Sequence, residues 1–225
     1  MSRLLGAFLS RVTARNSGRL DPVQYWQRRS AQFGRNAVLD LRHSSDTYES
    51  VTHRQCEQTF PYLTAALTGK EKIVLDLGCG PGRFTQKLAS VTGARAIGVD
   101  PIQRFVDIAP RYVNVQYRVM LDGRLPLDSQ SVDLVWIHLV LGGVAGAALD
   151  QLVAEVDRVL KERGLVCLIE NTSRLPSPAH WTYRSAQQYQ RLFHFVDLVN
   201  VNSYQDLGED ITVLIGNRRV RPRQS

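Results

Sequence analysis

Val74-Leu75-Asp76-Leu77-Gly78-Cys79-Gly80-Pro81-Gly82-Arg83-Phe84 is the stretch that decides the fold. From Ile73 to Leu77 the chain is apolar except for Asp76 and stops at glycines, as a short strand in a buried parallel sheet does. Helical sequence follows from Arg83 to Val91. Gly78, Gly80 and Gly82 fall in the strand-to-helix turn, where an open α/β sheet places its ligand loop and bare backbone lets a ligand approach. Asp76 ends the strand with its carboxylate toward the crevice. Ala96-Ile97-Gly98-Val99-Asp100 predicts a second strand, and a carboxylate at Asp100 can accept both hydroxyls of a ribose. Glycines spaced GxGxG after an acid differ from the dinucleotide fingerprint. A carboxylate at Asp76 repels a pyrophosphate and attracts an ammonium, so a nucleoside with a sulfonium and a zwitterionic amino-acid tail suits the loop better than NAD. The competing reading is a tight turn with Asp100 as a helix cap.

Outward from this loop, strand and helix alternate. The pattern predicts a helix from Ile102 to Ala109 and strands over Val113–Val119 and Val132–Ile137. An amphipathic helix follows over Ala147–Leu160, ending before Gly164, then a strand over Leu165–Ile169 and a helix over Gln187–Phe195. Val196–Val201 and Ile211–Ile215 read as two closing strands around the turn Leu207-Gly208. That order predicts one doubly wound, Rossmann-like α/β domain with a mostly parallel sheet and an antiparallel hairpin at its edge. Upstream, Asp21-Pro22 reads as a cap and first turn of a helix through Tyr25, Trp26 and Phe33. A second helix spans Thr47–Leu67, with Pro61 as a break or kink. The chain thus divides into a basic segment (1–20), a helical cap (21–70), a ligand-binding domain (71–217) and a basic tail (218–225).

Four runs in order, VLDLGCGPGRF, AIGVDP, LPLDSQSVDLVW and EVDRVLKERGLVCLIE, resemble the class I S-adenosylmethionine-dependent methyltransferases of the small-molecule type. The likeness covers Lys72 to Glu170, and more loosely the chain to Asn217. It implies seven strands with the last antiparallel, and S-adenosylmethionine as cofactor. Asp76, Gly78, Cys79, Gly80 and Gly82 would then cradle the methionine part, Asp100 would hold the ribose, and Pro101-Ile102 would flank the adenine. The family's polar residue near the adenine amine falls one place early, on Leu121, so Asp122 with Gly123 is the candidate, with a solvated turn as the equal alternative.

Methyl transfer from a sulfonium asks the protein mainly to hold nucleophile and methyl in line. A hydroxyl acceptor also benefits from a general base. The ends of the fourth and fifth strands border the methyl position, which makes His138 and Glu170 the candidate catalytic pair. His138 reads alternatively as a pocket wall touching the cofactor. Relatives with Leu-Glu-His after the fourth strand are matched here by Leu141-Gly142-Gly143, which predicts an open, flexible wall. The long segment after Glu170 supplies Asn171, His180, Trp181, Tyr183 and Arg184 for a sugar ring or aromatic acceptor. Tyr25, Trp26 and Arg29 could close over the same mouth. His43, His53 and His194 read as surface or core residues.

The net charge of +7 is uneven: residues 1–35 carry +6 and the tail from Asn217 +4, leaving −3 for the body. A uniformly basic nucleic-acid groove is not what this pattern suggests, and an RNA or protein methyltransferase is the rival within enzymes. The expected partner is a small-molecule acceptor, most simply an oxygen of a sugar, glycolipid precursor or natural product. A cofactor-binding module without catalysis is the rival outside enzymes. Cys56, Cys79 and Cys167 have no zinc-like spacing, so no metal is expected, and reduced thiols point to a cytoplasmic compartment. Residues 1–20 hold four Arg, no acid, and Leu4, Phe8 and Val12 on one helical face. They read as a packed or frayed helix, an interfacial helix on anionic lipid, or a mitochondrial transit segment.

Overall fold

A computed structural model describes residues 21–40, 42–43, 47–177 and 180–220. The basic segment 1–20 and the end of the tail lie outside the described residues. Among the described residues, no helix is long and apolar enough to cross a membrane.

Seven strands form one sheet in the order β3-β2-β1-β4-β5-β7-β6. They are β1 (Ile73–Leu77), β2 (Arg95–Asp100), β3 (Val115–Val119), β4 (Val132–His138), β5 (Leu160–Asn171), β6 (Val199–Asp206) and β7 (Glu209–Asn217). The first five run parallel, and β7 is antiparallel to both β5 and β6. The chain order reverses direction from β1 across to β4, so a crevice opens at the C-terminal ends of β1 and β4, where such sheets bind ligands.

The first two helices start for legible reasons. In α1 (Pro22–Phe33), Asp21 accepts from the Val23 amide at 3.0 Å and proline fills the first turn. In α2 (Tyr48–Ala66), Thr47 accepts from the Ser50 amide at 3.1 Å. Pro61 lies inside α2 without ending it. The expected break is absent: α2 runs on to Ala66, its buried Leu63 held against the sheet. The remaining helices are α3 (Thr85–Thr92), α4 (Gln103–Ile108), α5 (Ala147–Val159) and α6 (Ala186–Leu192). Short 3₁₀ turns cover Gly34–Val38 and Leu141–Gly143.

Two strands differ most from the sequence reading. β5 begins at Leu160, because Val132 pairs with Leu160 across an irregularity in the β4–β5 ladder and so draws Lys161–Gly164 into the strand. β6 begins at Val199 and runs to Asp206. Val196 makes only an isolated bridge to Arg218, while the hairpin pairs as far as Asp206 with Glu209.

Apolar side chains on the two sheet faces build two cores. One joins Leu75, Leu77, Val135 and Ile137 to α5 and α6 through Leu152, Val156, Tyr189 and Phe193. The other joins Val74, Leu134, Trp136 and Cys167 to α2 and α3 through Leu63, Phe84 and Leu88. Each large aliphatic or aromatic side chain so buried contributes about 1.5–3 kcal/mol. A third, small cluster ties α1 and its 3₁₀ turn to α4 through Ala37, Ile102, Phe105 and Val38.

Candidate active site

Strand register decides which carboxylates face the crevice together. Asp76 lies beside Gly98 of β2, so Asp100, two residues on, shares its face. Trp136 is the neighbour of Asp76 on β4, which puts His138 on that face as well. Asp76 is buried, and its Oδ2 accepts from the Thr85 hydroxyl at 2.6 Å. Burial pushes its carboxyl up to about 7, against the lowering pull of Thr85 and Arg83. Asp100 accepts from the Gly80 amide at 2.9 Å and the Ile102 amide at 2.8 Å, and burial raises it to about 6. Among the described residues neither carboxylate has an ion-pair partner.

Positive φ at Gly78, Gly80 and Gly82 shapes the loop between them. A Cβ on Gly78 would lie 2.5 Å from Val140, one on Gly80 2.9 Å from Val38, and one on Gly82 2.3 Å from the Tyr117 hydroxyl. The cap therefore reaches over the loop through Val38. Cys79 is buried with its Sγ 3.4 Å from the Gly80 carbonyl, and burial pushes its thiol well up, so it is a packing residue. Pro101 is partly buried at the start of the turn to α4, and Ile102 packs against Ala37 and Phe105. Asp122 is exposed in a turn closed by Arg124 on the Leu121 carbonyl, and a Cβ on Gly123 would meet Gln151. Asp122 borders a separate cleft with Arg118 and Glu155, apart from the glycine loop.

His138 is 8% exposed between Phe84 and Trp136, with ring centroids 4.5 Å and 6.0 Å away. Burial, then the Arg83 guanidinium, hold it well below the usual imidazole range. It is a neutral ring whose Nε2 has no partner.

Glu170 sits on the opposite face, because Ile169 is the neighbour of His138. It is fully buried and accepts from the amides of Val140, Leu141 and Gly142 at 2.8, 2.7 and 3.4 Å, and from the Tyr189 hydroxyl at 3.3 Å. Burial raises its carboxyl to about 7. Its three amide donors all lie in the turn after β4, and Tyr189 ties it to α6. Arg184 grips that turn from the carbonyl side, donating to Leu141 O at 2.7 Å and Val144 O at 2.8 Å. Glu170 and Arg184 are therefore placed to shape the wall rather than to touch a ligand.

The wall is also filled, not open. Trp181 lies against Gly142 so closely that a Cβ there would sit 1.9 Å from its ring, and the Thr182 amide donates to Gly142 O at 2.7 Å. His180 stacks on Tyr25 at 4.7 Å, and Trp26 meets Tyr25 edge-on at 5.2 Å. The cap, the strap formed by residues 180–184 and the turn after β4 thus border a cavity of about 370 Å³. Its opposite wall carries residues the sequence reading passed over. Glu209 takes Arg42 at 2.8 Å, Tyr183 at 3.3 Å and Asn171 at 2.5 Å; Asp206 takes His43 at 3.2 Å and Gln55 at 2.8 Å. These polar residues come from three distant segments, and no local motif could have joined them. The sequence predicted Tyr25, Trp26, Asn171, His180, Trp181, Tyr183 and Arg184 at this mouth; all but Arg184 line the cavity.

Residues 75–168 match the family model described as a methyltransferase domain. That stretch, with the glycine loop and the first five strands, is the part of the chain that resembles the class I S-adenosylmethionine-dependent methyltransferases. Among similar proteins, an uncharacterized methyltransferase-like protein of Schizosaccharomyces pombe is 31% identical over 107 residues, 47% of this chain and 41% of that protein. Phosphoethanolamine N-methyltransferase 1 of Caenorhabditis elegans is 27% identical over 162 residues, 70% of this chain and 32% of that protein. The chain thus spans less than half the length of either. Geranyl diphosphate C-methyltransferase from Streptomyces coelicolor A3(2) shares the fold, with a TM-score of 0.63 at 18% identity over 91% of this chain and 99% of that one.

The loop fits the family's cofactor. Two buried carboxylates lacking a cation, on one sheet face beside glycine backbone, complement a ligand carrying an ammonium, a sulfonium and a ribose. Each Asp100 oxygen accepts one amide and keeps a lone pair for a ribose hydroxyl.

Proposed function

We propose that this methyltransferase moves a methyl group from S-adenosylmethionine to an oxygen of a small-molecule acceptor held in the aromatic cavity. The observation that carries the reading is the cavity itself. It is about 370 Å³, and Arg83, next to the glycine loop, and Leu139, next to His138, are among its lining residues. That volume suits a small ring rather than a polymer. Tyr25, Trp26, His180 and Trp181 offer flat faces, and Glu209 and Asp206 offer acceptors to donating hydroxyls.

The bound cofactor would supply an activated methyl on a positively charged sulfur. The chain's part is to bind and orient. Asp76 and Asp100 hold the nucleoside, neutral His138 and Leu139 wall the methionine side, and the clamped β4 turn fixes the far wall. The Gly142-Gly143 pair, which could read as decay of a catalytic turn, is occupied by Trp181 and belongs to a built wall, so catalysis is favoured over a binding-only module. The phosphoethanolamine and geranyl diphosphate relatives also act on small molecules.

A methyl-tritium transfer screen over polyols, phenols, amines, RNA and protein tests this. Label should appear on a hydroxylated small molecule. Label on RNA or protein alone, or failure of S-adenosylhomocysteine to bind, would reject the proposal.

A further inference from the structure

Three arginines line the cavity, and two are spent. Arg42 is paired with Asp40 and Glu209 at 2.7 and 2.8 Å. Arg29 donates to the carbonyls of Ala37 and Leu39. Arg83 differs. Among the described residues it has no carboxylate within ion-pair distance. Its contacts are neutral: Nη2 donates to Gln55 Oε1 at 2.5 Å and lies 3.5 Å from His138 Nδ1, and the group rests over the Phe84 ring at 4.5 Å.

Gln55 is itself oriented. Its Nε2 donates to Asp206, which turns its oxygen toward Arg83 and fixes the guanidinium at the cavity's inner end. Arg83 is partly buried, and a guanidinium partly withdrawn from water without a counter-charge carries a desolvation cost that one aromatic ring and one amide offset only in part. Burial accordingly pulls Arg83 below its ordinary range. Asp76, a carboxylate that acts on Arg83 through space, is held by Thr85 and pushed up to about 7, so it supplies only part of a negative charge at neutral pH. The cavity is therefore short of one anion beside Arg83.

We propose that Arg83 is an oxyanion receptor that takes a carboxylate or phosphate group of a bound ligand in the planar, two-pronged manner of a guanidinium. The group comes from one of two sources, the amino-acid carboxylate of the cofactor or an anionic substituent of the acceptor. This deepens the reading of the cavity as a methyl-transfer site and rests on it.

Calorimetry on the full chain separates the sources, with Arg83→Met and Arg83→Lys against the unmodified protein. The probes are S-adenosylhomocysteine, its decarboxylated analogue, and phenyl phosphate. If the cofactor supplies the anion, Arg83→Met weakens S-adenosylhomocysteine about tenfold or more, leaves the decarboxylated analogue unchanged, and Arg83→Lys recovers part of the loss. If the acceptor supplies it, both nucleosides bind as before and phenyl phosphate loses about tenfold or more. The proposal is overturned if Arg83→Met, folded by its melting curve, binds S-adenosylhomocysteine and phenyl phosphate as the unmodified protein does, or if phenyl phosphate does not bind at all and S-adenosylhomocysteine is unaffected. Should S-adenosylhomocysteine fail to bind the unmodified protein, the methyl-transfer reading fails, and the phenyl phosphate arm alone decides Arg83.

Discussion

Three buried acids titrate far from their ordinary values: Asp76 at about 7, Asp100 at about 6 and Glu170 at about 7, each raised first by burial. Unfolded, the same groups titrate near 4, so the folded, ligand-free chain holds extra protons between pH 4 and 7. Stability from this source is complete below pH 4 and is lost as the pH climbs through 6 to 7. The melting temperature of the ligand-free protein should therefore fall from pH 5 to pH 8, and Asp76→Asn should flatten that slope. An unchanged slope in the variant would show that Asp76 is not the group titrating. A cation placed beside Asp76 favours its charged form, so the stabilisation conferred by S-adenosylhomocysteine should grow over the same interval. Glu170 answers to a different test. It accepts from three amides of the β4 turn, and Glu170→Gln should cost about 1–3 kcal/mol in urea unfolding. If Glu170 positions the wall, turnover falls while the pH–rate profile keeps its shape. A lost limb of that profile would instead make Glu170 a proton-transfer group.

Between elements, the tightest contact on the wall is Trp181 in the space beside Gly142. Adding a methyl there should force the strap off the β4 turn and cost about 1–3 kcal/mol. In a Trp181→Ala background the same Gly142→Ala change should cost little, because its obstacle is gone. A double-mutant cycle by chemical denaturation reads the coupling directly, and additive effects would refute the contact. The glycine pair was legible in the sequence as a departure from its relatives, but its partner was not, since Trp181 lies far along the chain. The same limit explains Glu170. Alternation along one strand told that Glu170 and Asn171 face opposite ways, yet only the register with β4 shows which of them shares a face with His138. What sequence carried well was local: the glycine loop, the two strand-end acids, the alternation of elements and the capped start of α1 all follow from neighbouring residues. The polar wall of Asp206 and Glu209 with Arg42 and Gln55 is a product of the hairpin folding back on the cap, and no single stretch encodes it.

Across the whole molecule, stability is divided unequally. The sheet carries two large cores, whereas α1 and its 3₁₀ turn rest on the small cluster around Ala37, Ile102 and Phe105, plus the stacked Tyr25–His180 pair. Few buried apolar contacts make such an element the first to open. Its position makes opening useful. Val38 stands over Gly80, so the cap must yield there before a nucleoside can lie along the loop, and can close on it afterwards. Amides of α1 should accordingly exchange hydrogen well ahead of those in β1, β4 and β5, and saturating S-adenosylhomocysteine should slow α1 more than any sheet strand. Phe105→Ala, which strips the cluster's largest side chain without touching the loop, should speed exchange in α1 in the free protein and weaken nucleoside binding by loosening the closed cap. If α1 were as protected as β4 in the ligand-free chain, the cap would be part of the rigid core and access to the glycine loop would have to come from elsewhere.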